Sequence, residues 1–357
     1  MKVLHLITGL GIGGAENMLL KVLPNLKNEN VVCSLTNNNE IGKKIEKKGV
    51  KVYYLGLNHL NLLGTILRFR KVVKKERPDI LNTYLIHSNL FGRIFGRLFG
   101  VKKIICSVRN KHIDKPFLNF LDRMSSFIVD LYTPNSKAVG NYLVKKQKIK
   151  TKKIKVIQNG IEINKFNVKV NKQKKKKELR IENRLVIGCV AKLRKQKGHE
   201  YLLKAIPLVI KKNPKCIFLI IGKGKEERTL KNLVKSLNIQ DKVSFLGAQL
   251  DTAELLKIMD LFVLPTLYEG MSNAILEAMA AKCSIITTDI AENRELIKDG
   301  KEGLLVKQKN HVDLANAINY LIDNKKIRQK FGENAYKKVK EDFSIKKTIE
   351  KYKGLYK

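Results

Sequence analysis

Short apolar runs rich in valine, isoleucine and leucine alternate along the chain with longer amphipathic stretches. This alternation is typical of strand–helix units built around parallel sheets. A first series of predicted strands comprises Val3–Ile7, Val31–Leu35, Val52–Leu55, Ile80–Thr83 and Ile104–Val108. A second series comprises Val186–Val190, Ile217–Ile221, Val243–Leu246, Leu261–Leu264, Ser284–Thr287 and Gly303–Val306. The pattern therefore predicts an α/β protein with two Rossmann-like domains.

A polar segment separates the two series and sets the predicted domain boundaries. Residues 168–184 contain the run Lys174–Lys177, which repels itself and buries little, so we predict a basic linker there. The domains on either side are 1–167 and 185–339. The last amphipathic segment, about Ile327–Tyr356, has helical spacing. In two-domain folds such a helix often crosses back, and residues of about 340–357 are the candidates for packing on the first domain.

The chain is strongly basic, with 72 Lys and Arg against 32 Asp and Glu, a net charge of +40. Such a charge suggests a polyanionic partner, either nucleic acid, anionic lipid or a phosphorylated substrate. A compositional bias toward lysine, asparagine and isoleucine explains it about equally well. No nucleic-acid-binding motif accompanies the charge, so a basic nucleic-acid-binding protein is the non-enzyme alternative.

Cysteine usage and the N-terminal sequence bear on the compartment. The five cysteines are scattered singly and predict reduced, buried thiols in a cytoplasmic protein (Cys33, Cys106, Cys189, Cys216, Cys283). The chain begins with a strand-like MKVLHLIT and without the pattern of a signal peptide, and no apolar segment reaches 18 residues. We expect a cytoplasmic protein, with peripheral attachment to the inner face of the cell membrane as the open alternative.

The first strand runs into a glycine-rich turn, GLGIGG, followed by a helix-like AENMLLKVL. Glycines here permit positive φ and close backbone approach, and the helix N-terminus offers N–H groups to an anion. Gly9, Gly11 and Gly14 match a dinucleotide-binding spacing, but the acidic residue expected near the second strand is missing, since Glu40 comes late. An NAD-dependent oxidoreductase is thus a weak alternative, and a merely tight turn is another.

The second series opens with a strand followed by a cationic loop in IGCVAKLRKQKGHEYLLKA. Several cations beside a helix N-terminus can clamp a diphosphate and stabilise charge that grows as a nucleotide leaves. The cations are Lys192, Arg194, Lys195 and Lys197. A solvated basic loop is the alternative in so lysine-rich a chain.

The most informative stretch is LFVLPTLYEGMSNAILEAMA, residues 261–280. An apolar strand leads to a loop with Glu269 and the residues Gly270, Met271, Ser272 and Asn273, and a small-residue helix then carries Glu277. This order places backbone N–H groups and the positive helix end toward an anion. Carboxylates can accept several hydroxyl hydrogen bonds, which suits a sugar. Solvent-exposed glutamates are the less favoured interpretation.

These blocks, together with NGIE at Asn159 to Glu162, VSFLG and TDIAENRELI, resemble glycosyltransferase family 4, whose signature is two glutamates separated by seven residues. The resemblance covers nearly the whole chain. It implies a GT-B fold, with two Rossmann-like domains facing each other across a cleft. It also implies a retaining mechanism, no required metal or cofactor, and an NDP-sugar held mainly by the C-terminal domain, with the N-terminal domain receiving the acceptor.

Carried over by position, the resemblance assigns Glu269 to the donor sugar, Glu277 to the ribose, and Lys197 with Lys192 to the diphosphate. Many members have arginine at the position of Lys192 and proline at that of Asn273, which leaves the sugar open. The donor set is completed by Arg194, Gly247, the amides of Gly270 to Asn273, and Gly13 and Gly14 from the opposing domain.

His87 follows a first-domain strand where family members often carry an active-site histidine, and a structural histidine is almost as well supported. Further cleft candidates are Arg109, Asn110 and Asn159. We predict that the helix Ser88–Phe99 is a core helix with its cations at the edge, with a membrane-surface helix as the alternative. Lys145–Lys155, with seven lysines, is a candidate for contact with anionic lipid.

The predicted activity is retaining transfer of a hexose or N-acetylhexosamine from an NDP-sugar, with UDP favoured, to a saccharide or lipid-linked acceptor in cell-surface polysaccharide synthesis. We identify no first-domain carboxylate for an inverting base or a covalent nucleophile, which favours front-face retention. Because one fold hosts several reactions, a GT-B-type epimerase or phosphorylase is the alternative enzyme.

Overall fold

The structure is a computed structural model that describes residues 1–58, 60–111, 116–249 and 251–357. The chain divides into two compact units. The first unit comprises Met1–Gly160 together with Ile345–Lys357, and the second unit comprises Ile161–Ser344.

Six strands form one sheet in the described part of the first unit, and helices connect them. The strands are β1 (Lys2–Ile7), β2 (Glu29–Ser34), β3 (Lys51–Tyr54), β4 (Ile80–Tyr84), β5 (Lys103–Ser107) and β6 (Leu131–Tyr132). The helices are α1 (Gly14–Val22), α2 (Gly42–Glu46), α3 (Leu62–Glu76), α4 (Ile86–Leu98), α5 (Pro116–Met124) and α6 (Lys137–Lys145).

The described residues of the second unit form another six-stranded sheet. Its strands are β7 (Leu185–Val190), β8 (Cys216–Ile221), β9 (Val243–Gly247), β10 (Leu261–Leu264), β11 (Ser284–Thr288) and β12 (Gly303–Val306). Its helices are α7 (Lys172–Glu178), α8 (His199–Lys212), α9 (Glu227–Ser236), α10 (Ala253–Ile258), α11 (Asn273–Ala280), α12 (Ala291–Leu296), α13 (His311–Asp323) and α14 (Lys325–Asp342). A last helix, α15 (Ile345–Lys353), belongs to the first unit.

Both sheets have the same strand order. The first is β3-β2-β1-β4-β5-β6 and the second is β12-β11-β10-β7-β8-β9, and neighbouring strands pair in parallel. In each sheet the order reverses between the first and fourth strands of the unit, β1 and β4 or β7 and β10. Ligands of doubly wound sheets bind outside the carboxyl ends of the strands at this switch point. The prediction of two Rossmann-like domains is confirmed.

The positions of the strands follow the apolar runs closely. All eleven predicted strands are present within a residue or two of the expected bounds, because runs of buried β-branched residues suit the interior of a parallel sheet. The sequence pattern missed β6, whose two residues are too few to show a period.

The core of the first unit lies on both faces of its sheet. Helices α1 and α15 contribute Met18, Leu19, Ile349 and Tyr352 to the core on one face. Phe69 of α3 and Phe91 of α4 pack in a separate cluster. The second unit has one large continuous core.

The unit boundaries differ from those expected from the sequence. The chain passes into the second unit at Ile161, and residues 168–184 lie inside that unit rather than forming a linker. There, the lysine run forms much of α7 because carboxylates offset its charge: Lys175 pairs with Glu254 at 2.9 Å and with Glu178 at 3.3 Å.

The C-terminal segment is two helices rather than the single amphipathic helix expected. Helix α14 ends at Asp342 in the second unit, and α15 starts at Ile345 and packs against α1 in the first. Between them, the Phe343 carbonyl accepts a hydrogen bond from the N–H of Ile161 at 2.8 Å. The chain therefore crosses back at the same place where it first leaves the first unit.

Two further expectations concern buried side chains and membrane-spanning segments. All five cysteines are buried and free, as predicted. Arg93 of α4 was expected at the helix edge, but it is fully buried and pairs with Asp122 at 2.5 Å, which compensates its charge.

Among the described residues, no helix combines the length and apolar character needed to span a bilayer.

Candidate active site

Two loops meet at the switch point of the second unit, one after β7 and one after β10. The backbone N–H of Leu267 donates to the Gln196 carbonyl oxygen at 2.7 Å, and the Gln196 side-chain amide donates to the Tyr268 carbonyl oxygen at 2.7 Å. The Thr266 hydroxyl donates to the same Gln196 oxygen at 3.0 Å. Gln196 thus fixes the cationic loop to the loop that carries Glu269.

Gly198 allows these loops to approach each other closely. Its φ is +68°, a left-handed conformation, and a Cβ atom at this position would lie 1.9 Å from the Pro265 carbonyl oxygen. Only glycine fits both conditions without a shift of the backbone. Helix α8 begins at the next residue, so Gly198 also sets the direction of that helix.

Lys197 and Glu269 form an ion pair across the two loops. The ammonium nitrogen and a carboxylate oxygen lie 2.5 Å apart, and Glu269 is 5% exposed. The structure therefore brings together two residues that the sequence assigned to separate roles. A buried carboxylate with a cation beside it can accept hydroxyl hydrogen bonds while the cation faces an anion.

The N-terminus of α11 follows Glu269 directly. Gly270, Met271 and Ser272 are buried, and the Ser272 side chain caps the helix by accepting from the N–H of Ile275 at 3.4 Å. Asn273 is the first helical residue. The first N–H groups of a helix carry partial positive charge and favour anionic groups such as phosphate.

Glu277 lies one turn inside α11 and is half-buried. Its carboxylate accepts a hydrogen bond from the Thr252 hydroxyl at 3.3 Å, which orients the side chain toward the loop after β9. Gly247 ends β9 with φ +67°, and its carbonyl oxygen accepts from the N–H of Gly222 at 2.7 Å. Glu277 and Gly247 are thereby placed at the same edge of the second sheet as Glu269.

The remaining cations of the loop after β7 lie at the surface. Lys192 and Arg194 are exposed, and Arg194 precedes the 3₁₀ turn Lys195–Lys197. The Lys192 carbonyl oxygen accepts from the N–H of Arg194 at 2.8 Å. Together with Lys197 these residues form a cationic loop next to the start of α11.

His199 is buried at the start of α8, immediately beyond this loop. Neither ring nitrogen has a hydrogen-bond partner among the described residues. Burial, reinforced by the nearby Lys197 charge, lowers the pKa of His199 to about 4. The ring is therefore neutral at pH 7.

The glycine-rich turn of the first unit follows β1 and leads into α1. None of Gly9, Gly11, Gly13 and Gly14 has a positive φ, and Gly13 is extended at −165°. Of the two properties that glycine permits, close approach rather than positive φ accounts for part of the glycine content here. A Cβ at Gly9 would lie 2.8 Å from the Thr36 hydroxyl oxygen.

His87 lies in the first turn of α4, just past the carboxyl end of β4, and is exposed. The preceding Leu85 has φ 73° and ψ 157°, a region that non-glycine residues rarely adopt. The Thr8 and Ser88 hydroxyls lie 3.2 Å apart and join this turn to the glycine-rich turn. The two switch-point turns of the first unit are thus connected, as are those of the second.

Arg109 and Asn159, predicted as cleft residues, contact each other within the first unit. The Arg109 guanidinium donates to the Asn159 side-chain oxygen at 2.8 Å and to the Tyr352 hydroxyl at 2.5 Å. It also lies over the Tyr84 ring. Arg109 therefore holds α15 onto the unit, while Asn110 accepts a hydrogen bond from the N–H of Lys111 at 2.9 Å.

Three residues of this arrangement were not predicted: Gln196, Gly198 and Thr252. The loop-to-loop hydrogen bonds of Gln196 depend on tertiary contact and leave no local signal. A glycine directly before a helix was a readable signal for Gly198, because helix starts with an unusual backbone often need one. Thr252 lies far from Glu277 in sequence, so no spacing could have paired them.

Comparisons with known proteins agree with this fold. The chain resembles Anabaena HepE in complex with UDP-glucose with a TM-score of 0.90 at 20% identity, covering 100% of this chain and 99% of that one. The match spans both doubly wound sheets. The protein therefore has the GT-B glycosyltransferase fold.

Sequence comparison identifies the family. Residues 12–165 match the model described as Glycosyltransferase Family 4, and residues 170–338 match the one described as Glycosyl transferases group 1. The chain belongs to glycosyltransferase family 4, and the protein is a glycosyltransferase.

Two relatives have names that state an activity. An Escherichia coli UDP-Gal:alpha-D-GlcNAc-diphosphoundecaprenol alpha-1,3-galactosyltransferase is 29% identical, covering 82% of this chain and 79% of that protein. A Campylobacter jejuni N-acetylgalactosamine-N,N'-diacetylbacillosaminyl-diphospho-undecaprenol 4-alpha-N-acetylgalactosaminyltransferase is 26% identical, covering 94% and 93%. Both act on lipid-linked saccharides, according to these names.

Proposed function

We propose that this protein transfers a hexose or N-acetylhexosamine, with retention of configuration, from a UDP-sugar to a lipid-linked saccharide at the cytoplasmic face of the membrane. The observation that carries the proposal is the partly buried Lys197–Glu269 pair beside the N-terminus of α11. One carboxylate for sugar hydroxyls and one cation for a phosphate, next to a helix N-terminus, match the two chemically distinct parts of a nucleotide sugar.

In the proposed reaction the second unit holds the donor. Lys192, Lys197 and the N–H groups at Ser272 and Asn273 bind the diphosphate, and Glu277 binds the ribose. As the bond between the anomeric carbon and the phosphate oxygen breaks, these groups stabilise the negative charge on the leaving UDP. The acceptor hydroxyl attacks from the same face of the sugar and passes its proton to the leaving phosphate oxygen.

The relatives support the acceptor and donor classes. Both curated relatives are named for α-transfer to diphospho-undecaprenol-linked saccharides, one from UDP-Gal, and HepE is described in complex with UDP-glucose. A lipid-linked acceptor and a UDP donor are therefore the first to test.

We propose that the transfer needs no metal ion, because Lys192 and Lys197 in the loop after β7 and the N–H groups at the start of α11 supply positive charge to the diphosphate. Turnover should be unchanged by EDTA. A loss of turnover that Mg²⁺ or Mn²⁺ restores would refute this part of the proposal.

The test is a transfer assay with a panel of labelled nucleotide sugars and a diphospho-undecaprenol-linked saccharide, followed by NMR of the product's anomeric configuration. We expect one UDP-sugar to give an acceptor-dependent product with the donor's configuration. An inverted product would refute retention. An altered nucleotide sugar without acceptor, or a requirement for inorganic phosphate, would indicate an epimerase or a phosphorylase instead.

A further inference from the structure

An apolar stripe lies on the surface of the first unit, along α5 and the 3₁₀ turn Ser126–Ile128. Its five side chains are between 37% and 78% exposed: Phe117, Phe120, Leu121, Met124 and Phe127. Their spacing of three and four residues puts the α5 members on one helix face. These five side chains form the α5 stripe.

The polar side of α5, not the apolar side, faces the protein. The buried Arg93 of α4 donates to the Asp122 carbonyl oxygen at 2.9 Å and to the Ser125 hydroxyl at 3.2 Å, and it pairs with the Asp122 carboxylate at 2.5 Å. No residue of α5 is buried.

A surface helix of a globular protein ordinarily buries its apolar face. Here the Arg93 contacts hold α5 by its polar side and direct the apolar side outward. Since breaking a buried ion pair is costly, the outward orientation is firmly fixed. Apolar area kept in water is unfavourable in proportion to its size, so a partner that covers the α5 stripe gains binding free energy.

Cationic residues border the α5 stripe. Lys153 donates to the Val129 carbonyl oxygen at 2.6 Å, which places the basic segment Lys145–Lys155 beside the end of the 3₁₀ turn. That segment has seven lysines and no acidic residue. Arg97 donates to the Ile128 carbonyl oxygen at 2.9 Å, and Arg123 on α5 itself is exposed.

We propose that the α5 stripe docks on an anionic lipid bilayer, with its aromatic side chains entering the boundary between headgroups and acyl chains. The lysines of residues 145–155 contact the anionic headgroups. An apolar face with cations at its border has the composition that binds at such an interface. The docking deepens the proposed function and rests on it, because a lipid-linked acceptor is located in such a bilayer.

Charge favours a bilayer over a second copy of this chain. Two copies meeting through this surface would bring two sets of lysines together in a protein whose net charge is +40. Like charges opposed across an interface are unfavourable, whereas anionic headgroups neutralise them.

The test measures sedimentation of the full chain with phosphatidylcholine vesicles, with and without phosphatidylglycerol. The variant carries Phe120→Ser and Phe127→Ser. The control is Tyr320→Ser, which removes a comparably exposed aromatic residue from α13 of the second unit. Circular dichroism melting verifies that each variant is folded.

We expect the wild type and the control to bind vesicles that contain phosphatidylglycerol and to bind phosphatidylcholine alone more weakly. The double variant should bind the anionic vesicles at least about tenfold more weakly, because each phenylalanine buried in the interface contributes substantially. Equal binding by the folded double variant and the wild type would overturn the proposal. So would a wild-type dimer in sedimentation velocity that the double variant fails to form, since a second copy would then cover the stripe.

A second readout separates docking from catalysis. With a water-soluble acceptor that has a shortened lipid, the double variant should transfer sugar at the wild-type rate. A loss of transfer to this soluble acceptor by the folded variant would contradict a docking role. A protein that transfers nothing to either acceptor, yet binds anionic vesicles through the stripe, would refute the proposed function and leave the docking surface supported.

Discussion

The two units share one strand order but use the polar residues at their switch-point edges differently. In the first unit, Arg109 is engaged by Asn159 and Tyr352, and its contacts fasten α15. In the second unit, Lys192 and Arg194 are exposed to solvent, and Lys197 pairs with Glu269. The same architecture thus uses a cation to attach a helix in one unit and gathers several cations in one loop at the switch point of the other.

This difference is the reason for proposing that the second unit holds the donor. The Arg109 guanidinium contacts Asn159 and Tyr352 within the first unit, whereas the cationic loop of the second unit lies beside a helix N-terminus, which favours an anion such as phosphate. The polar edge of the first unit is also tied internally elsewhere: the Ser107 hydroxyl donates to Asn82 at 3.0 Å.

The largest expected effect is on the rate of sugar transfer, and it comes from removing the ammonium group of Lys197. Lys197→Ala should lower kcat/KM for sugar transfer about 100-fold to 1000-fold, because it removes the charge proposed to stabilise the leaving diphosphate and also takes the cation away from the buried Glu269 carboxylate. Steady-state kinetics with the donor identified by the panel measure this.

The matched control is Lys204→Ala, which removes the same charge from α8. Lys204 is 40% exposed in its side chain and pairs with Glu200. It should keep the wild-type kcat/KM within about twofold, since an exposed ion pair contributes little. Equal losses in both variants would show that general positive charge, rather than Lys197, matters.

The next largest expected effect is on the pH dependence of stability, and it concerns two buried histidines. His5 lies in the first unit and His199 in the second. Burial lowers the pKa of each to about 4. Between pH 6.5 and pH 4 the unfolded chain therefore binds protons that the folded chain does not, so stability falls as the pH falls. At pH 5 each histidine should have reduced the free energy of unfolding of its unit by about 2 kcal/mol relative to neutral pH.

The two histidines differ in their hydrogen-bond partners, and this difference should affect stability at neutral pH. The His5 ring nitrogens lie 3.1 Å from the Tyr84 hydroxyl and 3.0 Å from the Asn30 side-chain oxygen. His5→Phe should therefore destabilise the first unit by about 1–3 kcal/mol at pH 7.5, whereas His199→Leu should cost little there and remove the acid sensitivity of the second unit.

Native-state hydrogen exchange, read separately for peptides of each unit, measures both effects. Second-unit protection that does not change between pH 7.5 and pH 5, after correction for the intrinsic exchange rate, would contradict the assignment of a neutral, buried His199.

The sequence predicted most of the fold because apolar runs and loop composition are local signals. Eleven strands follow from them, and the positions of Glu269 and Glu277 at the carboxyl edge of the second sheet follow from the order of strand, loop and helix. The break at Phe343 and Ser344 was not predicted, because the apolar spacing continues across it, whereas the contact of these residues with Ile161 joins distant parts of the sequence.

Other features depend on contacts between distant residues. The burial of Arg93 requires Asp122 from another helix, and the role of Arg109 requires Tyr352 from the C-terminal segment. The pairing of Lys197 with Glu269 joins residues from two loops. In each case the sequence indicated the residue as notable but not its partner, since no periodicity connects positions so far apart.

The most direct test of donor binding by the second unit is calorimetric titration of UDP into three proteins: the wild type, Glu277→Ala and Tyr352→Phe. Glu277→Ala should raise the Kd for UDP about 10-fold to 100-fold, because it removes a carboxylate proposed to bind the ribose. Tyr352→Phe, which removes only a contact of Arg109 in the first unit, should leave the Kd within about twofold of the wild type. An unchanged Kd in Glu277→Ala would contradict the account, and a large increase in Tyr352→Phe alone would place the nucleotide in the first unit.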